Sequence, residues 1–110
     1  MTAEAPRVEM IDELLVVSGE VNADSVLALR RHGEELISTV GSDLVVDLGN
    51  LGTASSVVLS MLLCWQRLAL ARGFSLQFRG VSDRLVSLAA LSNLDDHLAG
   101  FDAGQIQASS

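Results

Sequence analysis

Several residue types are rare or missing in this chain of 110 residues, and their absence narrows its function. The sequence contains no lysine, has only seven basic residues and carries a formal net charge of −7. Nucleic acid and anionic lipid both require basic patches, so neither is expected as a direct partner. The only cysteine, Cys64, excludes an intrachain disulfide and fits a reducing compartment.

Long apolar runs and secretion signals are missing as well. The most apolar run, residues 57–65, has about half the length of a membrane span and is followed by Gln66 and Arg67. The first residues show no basic segment followed by an apolar one. We therefore expect a cytoplasmic protein that does not insert into a membrane.

The common signatures of catalysis and of metal or nucleotide binding are also absent. No Gly-x-Gly-x-x-Gly and no Gly-Lys-Ser/Thr motif occurs, so nucleotide phosphates have no obvious binding loop. His32 and His97 lie far apart and have no partners at metal-ligand spacing. Ser55 and Ser56 have no assignable histidine base, and Asp47 has no evident catalytic partner. The sequence predicts a protein that is not an enzyme and has no cofactor or metal.

What the chain does contain is the pattern of a single small α/β domain. Apolar residues make up 49% of it, enough for one core. Periodicity and turn residues predict the order β-β-α-β-α-β-α, with elements at residues 8–11, 13–19, 22–37, 44–48, 56–71, 75–79 and 83–91, and a last helical turn at 95–98. We expect Asp12 in a tight turn between the first two strands and Asn22 or Asp24 as the cap of the first helix. Gly73 should end the second helix, and Ser82 or Asp83 should cap the third.

Strand–helix–strand units of this length pair their strands in parallel through right-handed crossovers. The predicted fold is therefore α/β, with a mainly parallel or mixed sheet of about four strands and helices mainly on one side. We expect residues 8–99 to form the domain, residues 1–7 a flexible N-terminus and residues 100–110 a polar tail.

The predicted helix at residues 56–71 has two different sides at 100° per residue. One side is purely apolar and should face the sheet: Val57, Val58, Met61, Leu62, Cys64, Trp65, Leu68 and Ala69. The other should face solvent but mixes polar residues with three leucines: Ser56, Leu59, Ser60, Leu63, Gln66, Arg67 and Leu70. The leucines indicate either a protein–protein contact patch or a surface that a neighbouring helix covers.

Ser55 and Ser56 open this helix, where backbone N–H groups are unpaired and the helix dipole is positive. Three interpretations remain open at this point. A serine hydroxyl can simply cap the helix, it can cap the helix and contact a partner, or it can be phosphorylated and gain about −1.5 to −2 charges.

Several segments of the chain form a recognisable pattern: Val45–Leu48, Ser55–Leu63, Leu68 and Ala69 with Gly73, Leu76–Leu85 and Leu88–Leu94. In this order they resemble the STAS domain, most closely its MlaB-type members in the Mla phospholipid-transport ABC complex. The functional position of the family is a Ser or Thr that follows an Asp and commonly precedes a Gly within two residues. Here it falls on Ser56, with Ser55 in place of the Asp and Val58 in place of the Gly.

The resemblance implies a non-enzymatic subunit that binds and regulates or stabilises an MlaF-like ABC transporter ATPase. Such a subunit acts in phospholipid transport that maintains outer-membrane lipid asymmetry, and it is peripheral to the inner membrane through the complex. The implied partner-binding residues are Thr53, Ala54, Ser55, Ser56, Leu59, Ser60, Leu63 and Arg67, and Ser56 would carry the functional hydroxyl.

A different function remains possible within the same family. An anti-sigma factor antagonist would regulate transcription by binding an anti-sigma kinase, and a small-ligand sensor is a third possibility. The acidic neighbour expected before the functional hydroxyl is replaced by Ser55, which favours a docking surface over a phosphorylation switch.

Overall fold

A computed structural model describes residues 5–52 and 54–91 of the chain. Its elements in order are β1 (Arg7–Ile11), β2 (Leu14–Gly19), α1 (Val26–Val40), β3 (Leu44–Leu51), α2 (Ser56–Ala71), β4 (Leu76–Arg79) and α3 (Asp83–Leu91). The predicted order of strands and helices is confirmed. The flexible N-terminus was predicted to include Arg7. In the structure Arg7 is the first residue of β1 and pairs with Ser18 of β2. The helical turn predicted at residues 95–98 lies outside the described residues.

The four strands form one mixed sheet in the order β1-β2-β3-β4. β1 pairs antiparallel with β2, whereas β2 with β3 and β3 with β4 are parallel. Side chains alternate between the two faces, and Leu15, Val46 and Phe78 are buried on the face that shares its core with the helices. On the other face Gln77 of β4 is exposed and Val45 of β3 is partly exposed. The helices therefore cover one side of the sheet, as predicted.

The β1–β2 hairpin closes through a two-residue turn at Asp12 and Glu13. Both residues have positive φ angles, 51° and 69°, as a type I′ turn requires. This turn matches the right-handed twist of the two strands and sets the register in which Val8 pairs with Val17. The tight turn predicted at Asp12 is confirmed.

The ends of α1 differ from the prediction. Asn22 lies in a turn before the helix, where its Oδ1 accepts the backbone N–H groups of Asp24 and Ser25 at 2.9 and 3.0 Å. The helix therefore begins at Val26, with Ser25 in the N-cap position, and continues beyond residue 37 to Val40. The local Asn22 turn competes with helical hydrogen bonding, which is why the pattern placed this helix start too early.

The other two helices end and begin largely as predicted. Gly73 follows α2 with a φ of +86°, and its N–H donates to the carbonyl of Leu70 at 3.1 Å. The Phe74 N–H donates to the carbonyl of Ala69 at 3.0 Å, which completes a Schellman motif. At the start of α3 the Ser82 hydroxyl oxygen accepts the N–H of Leu85 at 3.2 Å, so the predicted cap is confirmed.

β3 is three residues longer than the sequence indicates. Its pairing with β2 shifts register, because Val16 pairs with Asp47 whereas Ser18 pairs with Asn50. One extra residue of β3 is accommodated in this bulge, and the strand continues to Leu51 beyond it. The polar segment after residue 48 is therefore mostly strand, and only residues 52–55 connect it to α2.

α1 and α2 approach each other closely where Gly33 meets Trp65. The indole of Trp65 is fully buried, and a Cβ atom at position 33 would overlap its ring. The indole Nε1–H donates to the backbone carbonyl of Arg30 at 3.0 Å. Gly33 thus serves packing, because it lets a large aromatic side chain lie directly against the backbone of the neighbouring helix.

We expect Gly33→Ala to destabilise the protein by about 1–3 kcal/mol, because the added methyl group overpacks the contact with Trp65. The direction of this change in stability is informative, because Gly→Ala inside an unobstructed helix stabilises the helix by about 1 kcal/mol. Urea unfolding of Gly33→Ala, Trp65→Phe and the double variant measures the effect. In the Trp65→Phe background the smaller ring should reduce the penalty. A stabilising Gly33→Ala in the otherwise unchanged chain would contradict the contact.

Candidate functional site

The β3–α2 connection lies at the sheet edge where the parallel strands β2, β3 and β4 end and the helices begin. It is held to the neighbouring strand, because Leu51 pairs with Gly19 and the Gly52 N–H donates to the Gly19 carbonyl at 2.8 Å. The side chain of Glu20 also lies beside Gly52. Residues 52–55 therefore leave the sheet from an anchored point, which positions the start of α2.

A second set of contacts holds the end of β3 from the β4 side. Oδ1 of Asp47 accepts the Gly49 N–H at 2.9 Å, and its Oδ2 lies 3.9 Å from Nη2 of Arg79. A Cβ atom on Gly80 would lie only 2.7 Å from the backbone nitrogen of Gly49. The Asp47 carboxylate, which lies within β3, thus supports the bulge. The sequence pattern did not reveal its glycine neighbours. The signal that was available is a glycine directly after each of two predicted strands, at positions 49 and 80.

The Ser55 hydroxyl at the start of α2 does not act as a side-chain cap. Ser55 occupies the N-cap position with extended angles, φ −152° and ψ 166°, and its carbonyl accepts the Leu59 N–H at 3.3 Å. Its hydroxyl makes no capping hydrogen bond, and the first turn contains no acidic residue. Ser56, the first residue of the helix, is exposed. The hydroxyls at this helix start therefore differ from that of Ser82, which does cap α3.

Most of the predicted partner-binding residues share one surface. Ser56, Ser60, Leu63 and Arg67 follow one another at intervals of three or four residues along α2, so they form a stripe on one side of the helix. Three of them are exposed and Leu63 is partly buried. We call this stripe, together with the partly buried Ala54 and Ser55 before it, the docking surface. Thr53, also predicted, lies outside the described residues.

The prediction that Leu59 faces solvent is wrong. Its side chain is only 1% exposed and belongs to the same buried cluster as Leu85 and Ala89 of α3. The reason is that α2 contacts α1 and α3 as well as lying over the sheet, so a wider arc of its surface is covered. Of the three leucines, Leu70 alone is largely exposed, at 61%. A neighbouring helix therefore accounts for part of the expected leucine stripe.

Among the described residues, the docking surface presents hydroxyl and guanidinium groups, and the carboxylates of Glu20 and Asp47 lie near it at the ends of the neighbouring strands. Within residues 5–52 and 54–91, no cluster of three His, Cys, Asp or Glu side chains is placed to hold a metal ion. In the same part of the chain, none of the helices combines the length and hydrophobicity needed to cross a membrane. Val58, which stands where the family commonly has glycine, is fully buried in the core. The arrangement suits recognition by another protein surface.

Comparison with known proteins identifies the family. Residues 7–100 match the family model described as "Mlab, STAS domain", so the chain belongs to the MlaB-type STAS domain family. The crystal structure of an anti-sigma factor antagonist from Mycobacterium paratuberculosis is similar, with 26% identity and a TM-score of 0.58 over 94% of this chain and 92% of that one. No curated protein matches the sequence. The predicted STAS fold and the resemblance to MlaB are confirmed.

The close approach of Gly80 to Gly49 predicts that alanine destabilises the protein more at position 80 than at position 73, although both glycines have a positive φ angle. Gly80→Ala and Gly73→Ala both place a side chain at positive φ, which costs about 1–2 kcal/mol. The Cβ atom at position 73 meets open space, whereas the one at position 80 meets backbone. We expect Gly80→Ala to destabilise the protein by at least about 1 kcal/mol more, measured by urea unfolding. Equal losses would show that the β3 end does not depend on this contact.

The burial of Leu59 also predicts a contrast between two leucines of α2. Leu59→Ala should lower the free energy of unfolding by about 2–5 kcal/mol, because it leaves a cavity in the core. Leu70→Ala should change it by no more than about 0.5 kcal/mol, because that side chain is mostly in water. Thermal or urea unfolding of the two variants measures the contrast. A small loss of unfolding free energy for Leu59→Ala would mean that this side chain faces solvent after all.

Proposed function

Because the chain belongs to the MlaB-type STAS family, we propose that it is a non-enzymatic subunit of an Mla-type ABC transporter. In this proposal it binds the cytoplasmic ATPase of the complex and stabilises or activates it. The ATPase then energises phospholipid movement that maintains outer-membrane lipid asymmetry. The protein would lie in the cytoplasm, peripheral to the inner membrane through its partner.

One observation supports this function more than any other. The family described as MlaB covers residues 7–100. In this proposal its functional hydroxyl corresponds to Ser56, which is exposed in this chain. Its neighbour Ser55 makes no capping hydrogen bond. Two hydroxyls at the start of α2, followed by a mainly polar and mostly exposed stripe along the helix, suit a specific contact with a second protein.

The surroundings of Ser56 favour a partner contact that needs no modification over a contact that phosphorylation controls. The acidic residue that precedes the functional hydroxyl in the family is replaced by Ser55, which is partly buried. A kinase that recognises this acidic residue in other family members would therefore find a different local surface in this chain. We propose that Ser56 contacts the ATPase directly, and that Leu59 supports the docking surface from below while Leu63 contributes part of the contact.

A second candidate function is supported by the similar solved structure. That protein is described as an anti-sigma factor antagonist, and its 26% identity extends over nearly the whole of both chains. In this alternative the same surface binds an anti-sigma kinase and regulates transcription. The substitution at Ser55 makes it the weaker candidate.

Affinity purification distinguishes the two partners. We expect the tagged full chain to retain the ATPase subunit of an ABC transporter when it is purified from its own cells, with identification by mass spectrometry. The result must be repeated with the two purified proteins. Recovery of an anti-sigma kinase, with no binding to the purified ATPase, would replace the leading proposal by the alternative.

The docking surface is tested by Ser56→Glu, which should weaken ATPase binding at least tenfold. The new charge would have to be desolvated in the interface, while at the first position of a helix it is favourable for folding. Ser42→Glu is the matched control, because Ser42 is exposed just before β3, at the opposite edge of the sheet. Isothermal titration calorimetry gives both affinities. Unchanged binding of Ser56→Glu would exclude the turn from the interface.

A further inference from the structure

A second surface feature adjoins the docking surface and has no role in the proposal above. Between the first turns of α1 and α2 lies an apolar groove of about 220 Å³. It is lined by Val26, Leu27, Arg30, Val57, Ser60, Met61 and Cys64. The side chain of Leu27 is 48% exposed. The groove therefore presents apolar surface that no described residue of the chain covers.

The groove follows from the way the two helices pack. They are held together at Gly33 and Trp65, where the indole lies against the backbone and its N–H donates to the Arg30 carbonyl at 3.0 Å. Apart from Cys64, which directly precedes Trp65, the lining residues come about one to two turns earlier in each helix than this contact. Because a buried aromatic contact and a hydrogen bond fix the helices on one side, the groove is preformed.

The groove carries a single charged side chain, that of Arg30. Its Nε atom is buried and has no hydrogen-bond partner among the described residues. The nearest carboxylate oxygen, Oε2 of Glu34, is 3.6 Å away, which is an ion pair but too long for a hydrogen bond. The side chain of Arg30 is still 38% exposed, so a second carboxylate can reach the guanidinium. A partly exposed guanidinium beside an apolar groove suits a partner segment that brings a carboxylate next to an apolar side chain.

We propose that this groove receives a segment of the partner ATPase in which a bulky apolar side chain stands next to a carboxylate. The apolar side chain enters between Leu27 and Met61, and the carboxylate accepts hydrogen bonds from Arg30. The groove is smaller than the roughly 300–1,000 Å³ of pockets that hold whole small molecules, so a single side chain fits it better.

This inference rests on the proposed function, which supplies the partner, and it extends the interface from one side of α2 to the other. Ser60 belongs both to the docking surface and to the groove lining, and Val57 directly follows Ser56. A partner seated on the start of α2 therefore reaches the groove without a gap. Together the two areas would give the ATPase an apolar anchor beside a polar contact, the arrangement expected of a specific interface.

The first experiment uses the full chain with the purified ATPase. Leu27→Gln should weaken binding about tenfold, while the same substitution at Leu70, an exposed leucine at the far end of α2, should leave it unchanged. Arg30→Gln should weaken binding by a similar factor, and Arg30→Lys should retain part of it. Circular dichroism of each variant verifies that it is folded.

Cys64 provides an independent readout, because it is the only cysteine of the chain and it lines the groove. Its alkylation by N-ethylmaleimide, followed by mass spectrometry of the peptide that contains it, should slow at least fivefold when the ATPase is bound. If the ATPase binds but Leu27→Gln and Arg30→Gln bind equally well and alkylation of Cys64 is not slowed, the groove proposal is wrong while the proposed function stands.

The second experiment does not depend on the ATPase. NMR titration of the isolated full chain compares 4-phenylbutyrate with 4-phenylbutyramide, which has the same apolar part without the charge. The carboxylate should shift the resonances of the groove residues and bind at least threefold more tightly, and Arg30→Gln should remove the difference. Should the ATPase fail to bind at all, the proposed function fails and this titration alone decides the groove: equal affinities or shifts elsewhere overturn it.

Discussion

The indole of Trp65 packed against Gly33 is the contact on which the helical layer depends. It joins α1 to α2 at the only point where one helix has no side chain, and a hydrogen bond to the Arg30 carbonyl fixes the orientation of the ring. Because a close-packed interior tolerates little displacement, this contact determines where the first turns of both helices lie. The docking surface and the apolar groove are both consequences of that placement.

The sheet contributes the other constraint, which acts through backbone contacts at its carboxyl edge. The bulge in β3 lengthens the strand, and the hydrogen bond from Gly52 to Gly19 sets where the chain leaves the sheet. On the other side Gly80 approaches Gly49 too closely for any side chain. The end of β3 is therefore held from both sides. A surface that follows an anchored strand loses little conformational entropy when a partner binds, which suits docking.

Much of the fold could be predicted from residues whose conformation depends on their neighbours in sequence. The alternation in β4, the cap at Ser82 and the positive φ of Gly73 all depend on neighbours within a few positions, and each prediction was right. The extent of β3 and the burial of Leu59 were missed for a different reason. The strand is extended by pairing with β2, and Leu59 is covered because α2 contacts helices on both sides. Neither partner is near in sequence.

By itself, the sequence determined the class of fold, the order of its elements and the resemblance to the STAS family. These follow from hydrophobic period, turn chemistry and short motifs, which act between neighbours along the chain. The tertiary structure alone decided which leucines are covered and that the Ser55 hydroxyl makes no capping hydrogen bond in α2. It also decided that Gly33 and Gly80 lie at close contacts between segments. Those properties depend on distances between segments far apart in sequence, and only the packed arrangement of sheet and helices sets such distances.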